Sequence, residues 1–148
     1  MTASDPRVLG PGLLPTPFTA EEIRAATGPG RTIRIRVDRP DGSHAVRVNR
    51  FRDTDAEGAT LERWDEATPA DVTANRVTWA DLQGHAAFDA ATTRVSSERL
   101  AIELGALTCL RYDSADGVFW FSLAHPGMPV RYEAGGVRTT VIEILPGS

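Results

Sequence analysis

The chain predicts an α+β fold that is mostly β: a single curved antiparallel meander, a half-barrel or open barrel of about eight strands, with two short helices packed on it. Three observations lead there. Apolar residues alternate with polar ones in segment after segment, the period of a strand with one buried face. These segments follow one another through short Gly, Pro and Asp turns with no crossover helix between them, which favours antiparallel pairing over βαβ units. Only two stretches carry a helix-start signature.

Residues 1–17 hold Pro6, Pro11, Pro15 and Pro17 with Gly10 and Gly12, a composition that sustains neither a helix nor a central strand. They read as an irregular arm, and residues 18–148 as one antiparallel β domain. Val8, Leu9, Leu13 and Leu14 make the arm apolar enough to lie along the body or a partner. Thr19-Ala-Glu-Glu22 is a capping-box pattern, so a short helix over about residues 20–27 follows. Gly28-Pro29-Gly30 ends it.

From Thr32 the period becomes two. Ile33, Ile35 and Val37 alternate with arginines, and Val46 and Val48 alternate with Arg47 and Asn49, across a Pro40-Asp41-Gly42 turn. The expectation is a hairpin with one apolar face and one arginine-rich face containing Arg34, Arg36 and Arg47. A third strand over residues 59–64 follows the acidic turn 53–58. Residues 65–71 read as a loop around Pro69, with a short strand near 75–77. Thr78-Trp-Ala-Asp81 starts a second helix of about two turns, in which Trp79, Leu82 and Ala86 share the buried face. Strands are expected near residues 92–103, 106–113, 118–124, 128–133 and 137–145. Gly135-Gly136 fits a two-residue turn that needs positive φ twice.

Composition excludes several function classes. Net charge is −4 and all sixteen basic residues are Arg, so no nucleic-acid partner is expected, since phosphate contacts need a basic surface. The Arg-only, Ala- and Gly-rich usage fits the codon bias of a GC-rich, bacterial genome. Seven Arg in residues 31–52 face eleven acids in residues 53–103, which suggests cross-strand ion pairing. No apolar window approaches the length of a membrane span, and the start has no leader pattern, so a soluble, cytoplasmic protein is the default.

Chemistry-bearing motifs are sparse. Asp53-Thr-Asp-Ala-Glu-Gly58 opens like an EF-hand loop, yet Trp64 stands where the bidentate Glu is needed, and the segment reads as a solvated turn. Cys109, alone and in an apolar strand, reads as a buried thiol. His44, His85 and His125 lack metal-ligand spacing, and Ser122 with His125 lacks a nucleophile elbow and an orienting acid. No cofactor, metal or catalytic residue is assigned, and an enzyme is the less favoured reading.

Residues 117–133 hold four of the ten aromatics. Phe119 and Phe121 share one strand face and Trp120 takes the other, so either the rings fill a dry core or one face curves around a cavity that accepts an apolar ligand. The layout of a capped helix, a long meander with a helix inserted mid-sheet, and then Gly105-x-x-x-Cys109-x-x-Tyr112 and Phe119-Trp120-Phe121 leading into Pro126-Gly-Met-Pro-Val-Arg-Tyr132 resembles the half-barrel lipoprotein carriers of the LolA and LppX kind and related bacterial proteins of unknown function. That resemblance implies a curved sheet lined with apolar side chains, helices plugging its concave side, and a cavity that holds lipid. The functional expectation is therefore a non-enzymatic binding protein for an apolar or amphipathic small molecule, with Trp64, Trp79, Phe88, Phe119, Trp120 and Phe121 as candidate ligand contacts. The alternative is an interaction module or homodimeric scaffold with a fully packed core.

Overall fold

In the computed structural model, which describes residues 5–147, nine antiparallel strands form one open sheet. The first four residues of the predicted arm and Ser148 at the end of the predicted domain lie outside the described residues. The strands are β1 Thr32–Asp38, β2 His44–Arg52, β3 Gly58–Asp65, β4 Thr68–Thr78, β5 Arg94–Ile102, β6 Gly105–Ser114, β7 Gly117–Ser122, β8 Arg131–Ala134 and β9 Val137–Leu145. Two helices, α1 Ala20–Ala26 and α2 Trp79–Gly84, complete the structure. The spatial order β4-β3-β2-β1-β9-β8-β7-β6-β5 joins two meanders through the pairing of β1 with β9 and leaves β4 and β5 as edges. The fold class is the one expected. Among the described residues, no helix is long and apolar enough to cross a membrane.

Both helix starts are where the hydroxyl caps put them. Thr19 accepts from the Glu22 amide at 3.1 Å, and the Glu22 carboxylate accepts from the Thr19 amide at 3.0 Å, completing the capping box. Thr78 accepts from the Asp81 amide at 3.0 Å. Trp79 and Ala86 are buried and Leu82 is half-buried, as their spacing requires. The tight turn between β8 and β9 has φ of 58° at Gly135 and 79° at Gly136, values a residue with a Cβ rarely adopts.

Three sequence expectations change. The segment 65–71 is no loop: β3 and β4 form a hairpin in which Asp65 pairs with Thr68, and β4 runs eleven residues. Pro69 is tolerated because β4 is an edge, where the missing N–H faces solvent. The strand expected over residues 128–133 becomes the four residues of β8, because Pro126 and Pro129 cannot donate to a ladder and hold residues 125–129 out of it, while Val130 still donates to the Trp120 carbonyl and accepts from the Val141 amide, both at 2.8 Å.

The third change concerns faces. The β1–β2 register pairs Ile35 with Arg47, Ile33 with Asn49 and Arg34 with Val48. Directly opposed residues of an antiparallel pair share a face, so Arg47 lies on the inner side with the isoleucines, and Val46 and Val48 lie outside with Arg34 and Arg36. Outside, Arg34 pairs with Glu66 at 2.7 Å and Glu143 at 3.3 Å, and Arg50 pairs with Glu62 at 2.9 Å. The arginine-rich face is thus largely neutralised by cross-strand acids. Such half-exposed pairs contribute little individually, roughly 0–1 kcal/mol each.

The apolar inner face is covered by α1, α2 and the arm. Gln83, 5% exposed, clasps the three together. Its Nε2 donates to the Pro6 carbonyl at 2.8 Å and to Thr16 Oγ1 at 3.0 Å. Its Oε1 accepts at 2.9 Å from the amide of Ala20, one of the first-turn donors of α1 that the helix itself cannot satisfy. Gln83→Ala should lower stability by about 1–3 kcal/mol, the cost of leaving buried polar groups unpaired, and should open the arm to limited proteolysis near residues 5–17. An arm that stays as protease-resistant as in the parent would contradict this role.

Candidate functional site

The sheet wraps around a trough that the helices close at one end. Two cavities occupy it, and both are bordered by Phe51, Leu82, His85, Met128 and Tyr132. The first, of about 290 Å³, is the more enclosed of the two and mainly apolar: Ile33 on β1, Phe51 on β2, Phe119 and Phe121 on β7, and Val141 and Ile144 on β9 form its floor. Ile23 of α1 and Thr27 at its end, Leu82, His85 and Ala86 around the end of α2, and the 125–130 loop form its walls. The second, of about 560 Å³, is more open, and its wall mixes Ile35, Val37 and Leu61 with Arg47, Asn49, Arg63, Asp65, Asp71 and Thr73.

Alternation along each strand decides which residues reach the floor, with one exception. Val141 and Ile144 are three apart and would face opposite sides of a regular strand. A register shift pairs Arg34 with Glu143 and Ile35 with Val141, so Ile142 is an extra residue on β9, a bulge that returns Ile144 to the inner side opposite Ile33.

The six candidate ligand contacts do not form one group. Phe119 and Phe121 line the enclosed cavity, whereas Trp64 touches only the rim of the open one: its register opposite Val48 turns it to the outer face, with the Arg50 guanidinium 5.1 Å from its ring centre. Phe88 stacks on Tyr112 at 4.9 Å and tilts against Phe119 at 5.1 Å, and Trp79 is buried with its indole N–H donated to the Asp55 carbonyl at 2.8 Å. Both support the cavity without lining it. Trp120 projects from the opposite face. There it is 5% exposed, donates its N–H to the Glu98 carboxylate and lies under Arg111 at 5.2 Å.

The polar groups of the enclosed cavity were not singled out by sequence spacing. Arg31, between α1 and β1, donates to the carbonyl of Ala26 at the end of the helix. Burial lowers its pKa from the ordinary arginine value. His85 and His125 border the same cavity, while His44 is exposed at the start of β2. Burial, and secondarily the nearby Arg31 charge, lower the pKa of His125. Ser122 is fully buried, with its Oγ accepting from the Ala124 amide at 3.2 Å. In the acidic turn, the Asp55 carboxylate is taken by the amides of Glu57 and Gly58 and by Arg76. Burial, and then Glu98, push the thiol of Cys109 up, which leaves it a poor nucleophile. Among the described residues, no cluster of three His, Cys, Asp or Glu side chains could hold a metal ion.

No protein-family model matches the chain, and no significant match is found among curated proteins.

The depressed pKa of His125 makes stability depend on pH with a definite sign. As pH falls below about 6.5 the unfolded chain takes up the proton first. The His125 contribution is therefore complete above that pH and is lost progressively below it, down through the folded-state pKa. Urea midpoints measured from pH 7.5 to 5.5 should decline, and the decline should be shallower in His125→Gln. An equal slope in both proteins would remove His125 as the cause.

Proposed function

We propose that this protein is a non-enzymatic binder of an apolar or amphipathic small molecule, held in the enclosed half of the trough. The observation that supports the reading is the cavity itself. It lies between a sheet floor and a helical cover, and is walled mainly by aliphatic and aromatic side chains. Its volume stands near the lower end of the range of roughly 300–1,000 Å³ in which small-molecule sites fall. A floor of Ile33, Phe121, Val141 and Ile144 offers dispersion and water exclusion rather than reacting groups. Its preference is for chain length and shape.

Size sets the ligand scale. At roughly 30 Å³ per non-hydrogen atom, taking the share of a water in the liquid as a guide, the cavity holds about ten such atoms. The proposed ligand is thus a medium-length chain or its equivalent, and a longer tail would extend into the open compartment through the side shared with Leu82, Met128 and Tyr132. The half-barrel lipid carriers that the sequence layout resembles are one kind of protein with this use of a trough.

A series of straight-chain alcohols, titrated by ¹H–¹⁵N NMR, tests the reading. Each added CH₂ is worth about 0.8 kcal/mol, so affinity should rise about fourfold per carbon and level off near ten non-hydrogen atoms. Shift changes should map to Phe121, Val141 and Ile144. Leu82→Trp, which places a large ring at the boundary of the two cavities, should abolish binding while a cooperative melt shows that the fold survives. Absence of binding by every member of the series, or affinity independent of chain length, would sink the proposal.

A further inference from the structure

Resting on that reading, we infer that the ligand carries a terminal oxyanion, a carboxylate or a phosphate monoester, and that Arg31 receives it. Polar side chains line the enclosed cavity in two places: His85, on the side shared with the open compartment, and the group of Thr27, Arg31 and His125, in which Arg31 is near enough to bear on the charge of His125. Arg31 is half-buried, and a guanidinium partly withdrawn from water gains from an ionic partner. The half-buried arginines Arg34, Arg36, Arg50 and Arg111 each have a carboxylate within 4.0 Å. Among the described residues two half-buried arginines have none: Arg131, which donates to Thr140 Oγ1 at 3.1 Å away from the cavity, and Arg31, the one of the two that lines it. Its one hydrogen bond there is to the Ala26 carbonyl, which leaves most of its five N–H groups uncommitted.

The planar fork of an arginine matches two oxygens of one carboxylate or phosphate at once. A ligand oxyanion beside Arg31 would therefore complete a site that the chain leaves open. It would also relieve the crowding of His125 by a second positive centre, since an anion between the two favours both. The arrangement gives the ligand a direction: head toward the α1–β1 connection, tail along Phe121, Val141 and Ile144. The open compartment, with Arg47 and Arg63 near Asp65 and Asp71, already carries charges of both signs and competes poorly for a single anion.

Octanoate, octyl phosphate and the neutral octanol separate this inference from the cavity proposal. In the parent protein, octanoate or octyl phosphate should bind about tenfold or more tightly than octanol, the increment expected of a charge-assisted hydrogen-bonded pair; whichever of the two binds better identifies the head group. Arg31→Gln should bring the ratio of anion to octanol affinity down to about one, and Arg31→Lys should restore part of the difference. Thermal melts of each variant separate loss of the α1 contact from loss of the anion site. Equal binding of octanol and the anions, or equal weakening of all three by Arg31→Gln, would overturn the oxyanion assignment while leaving the cavity intact. So would an anion preference abolished by Arg47→Gln but not by Arg31→Gln. Failure of octanol and both anions to bind would overturn the cavity reading and this inference together.

Discussion

The pairing of β1 with β9 is the constraint on which the rest of the structure depends. The N-terminal meander β1–β4 and the C-terminal meander β5–β9 are joined into one sheet only there. The seam therefore requires the two ends of the domain to meet, a non-local contact that forms only after most of the chain is ordered. It also contains the bulge at Ile142 that brings Val141 and Ile144 to the same side. Bulges bend the strand that carries them and increase local twist. One inserted residue thus contributes both to the curvature of the trough and to the apolarity of its floor.

From that seam outward the two sides of the sheet diverge. The C-terminal half presents an unbroken aromatic series on the inner face, Tyr112 against Phe121 at 5.5 Å and Phe119 against Tyr132 at 5.7 Å, and the helices cover it. The register of β1, β2 and β3 carries Arg47, Asn49 and Arg63 inward in the N-terminal half, polar groups that favour water over an apolar cover. Division of the trough into an enclosed apolar part and an open polar part follows from this difference. On the outer face, Arg34, Arg50 and Arg111 find acids on other strands or turns, and Arg50 and Arg111 lie over Trp64 and Trp120. That face reads as a solvated surface on which these charges are paired.

Much of the architecture was legible where local chemistry acts alone. Thr19 with Glu22, Thr78 with Asp81, and Gly135-Gly136 each specify a cap or a turn through bonds or φ values internal to a few residues, and β9 occupies the span its alternation predicts. The misreadings arose where the outcome depends on a partner. Residues 68–76 of β4 are exposed, so no burial pattern marks them as strand. The face taken by Arg47 is set by register, which a hydrophobic pattern with valines on β2 does not reveal. Gln83 is polar in a short helix and reads as surface, yet it is buried because three carbonyl, hydroxyl and amide groups from distant segments converge on it. The candidate site was only partly visible for the same reason: residue type picks out aromatics, whereas Ile23, Arg31, Phe51, His125 and Ile144 come together only through the sheet and its cover.

The most direct measurement of the central claim, that the enclosed half of the trough is a ready-made ligand site, is a crystal structure with 8-bromooctanoate using the anomalous signal of bromine. Bromine density is expected among Phe121, Val141 and Ile144, with the carboxylate within hydrogen-bonding distance of Arg31. Side chains collapsed into that space, or bromine found only on the outside of the sheet, would contradict it.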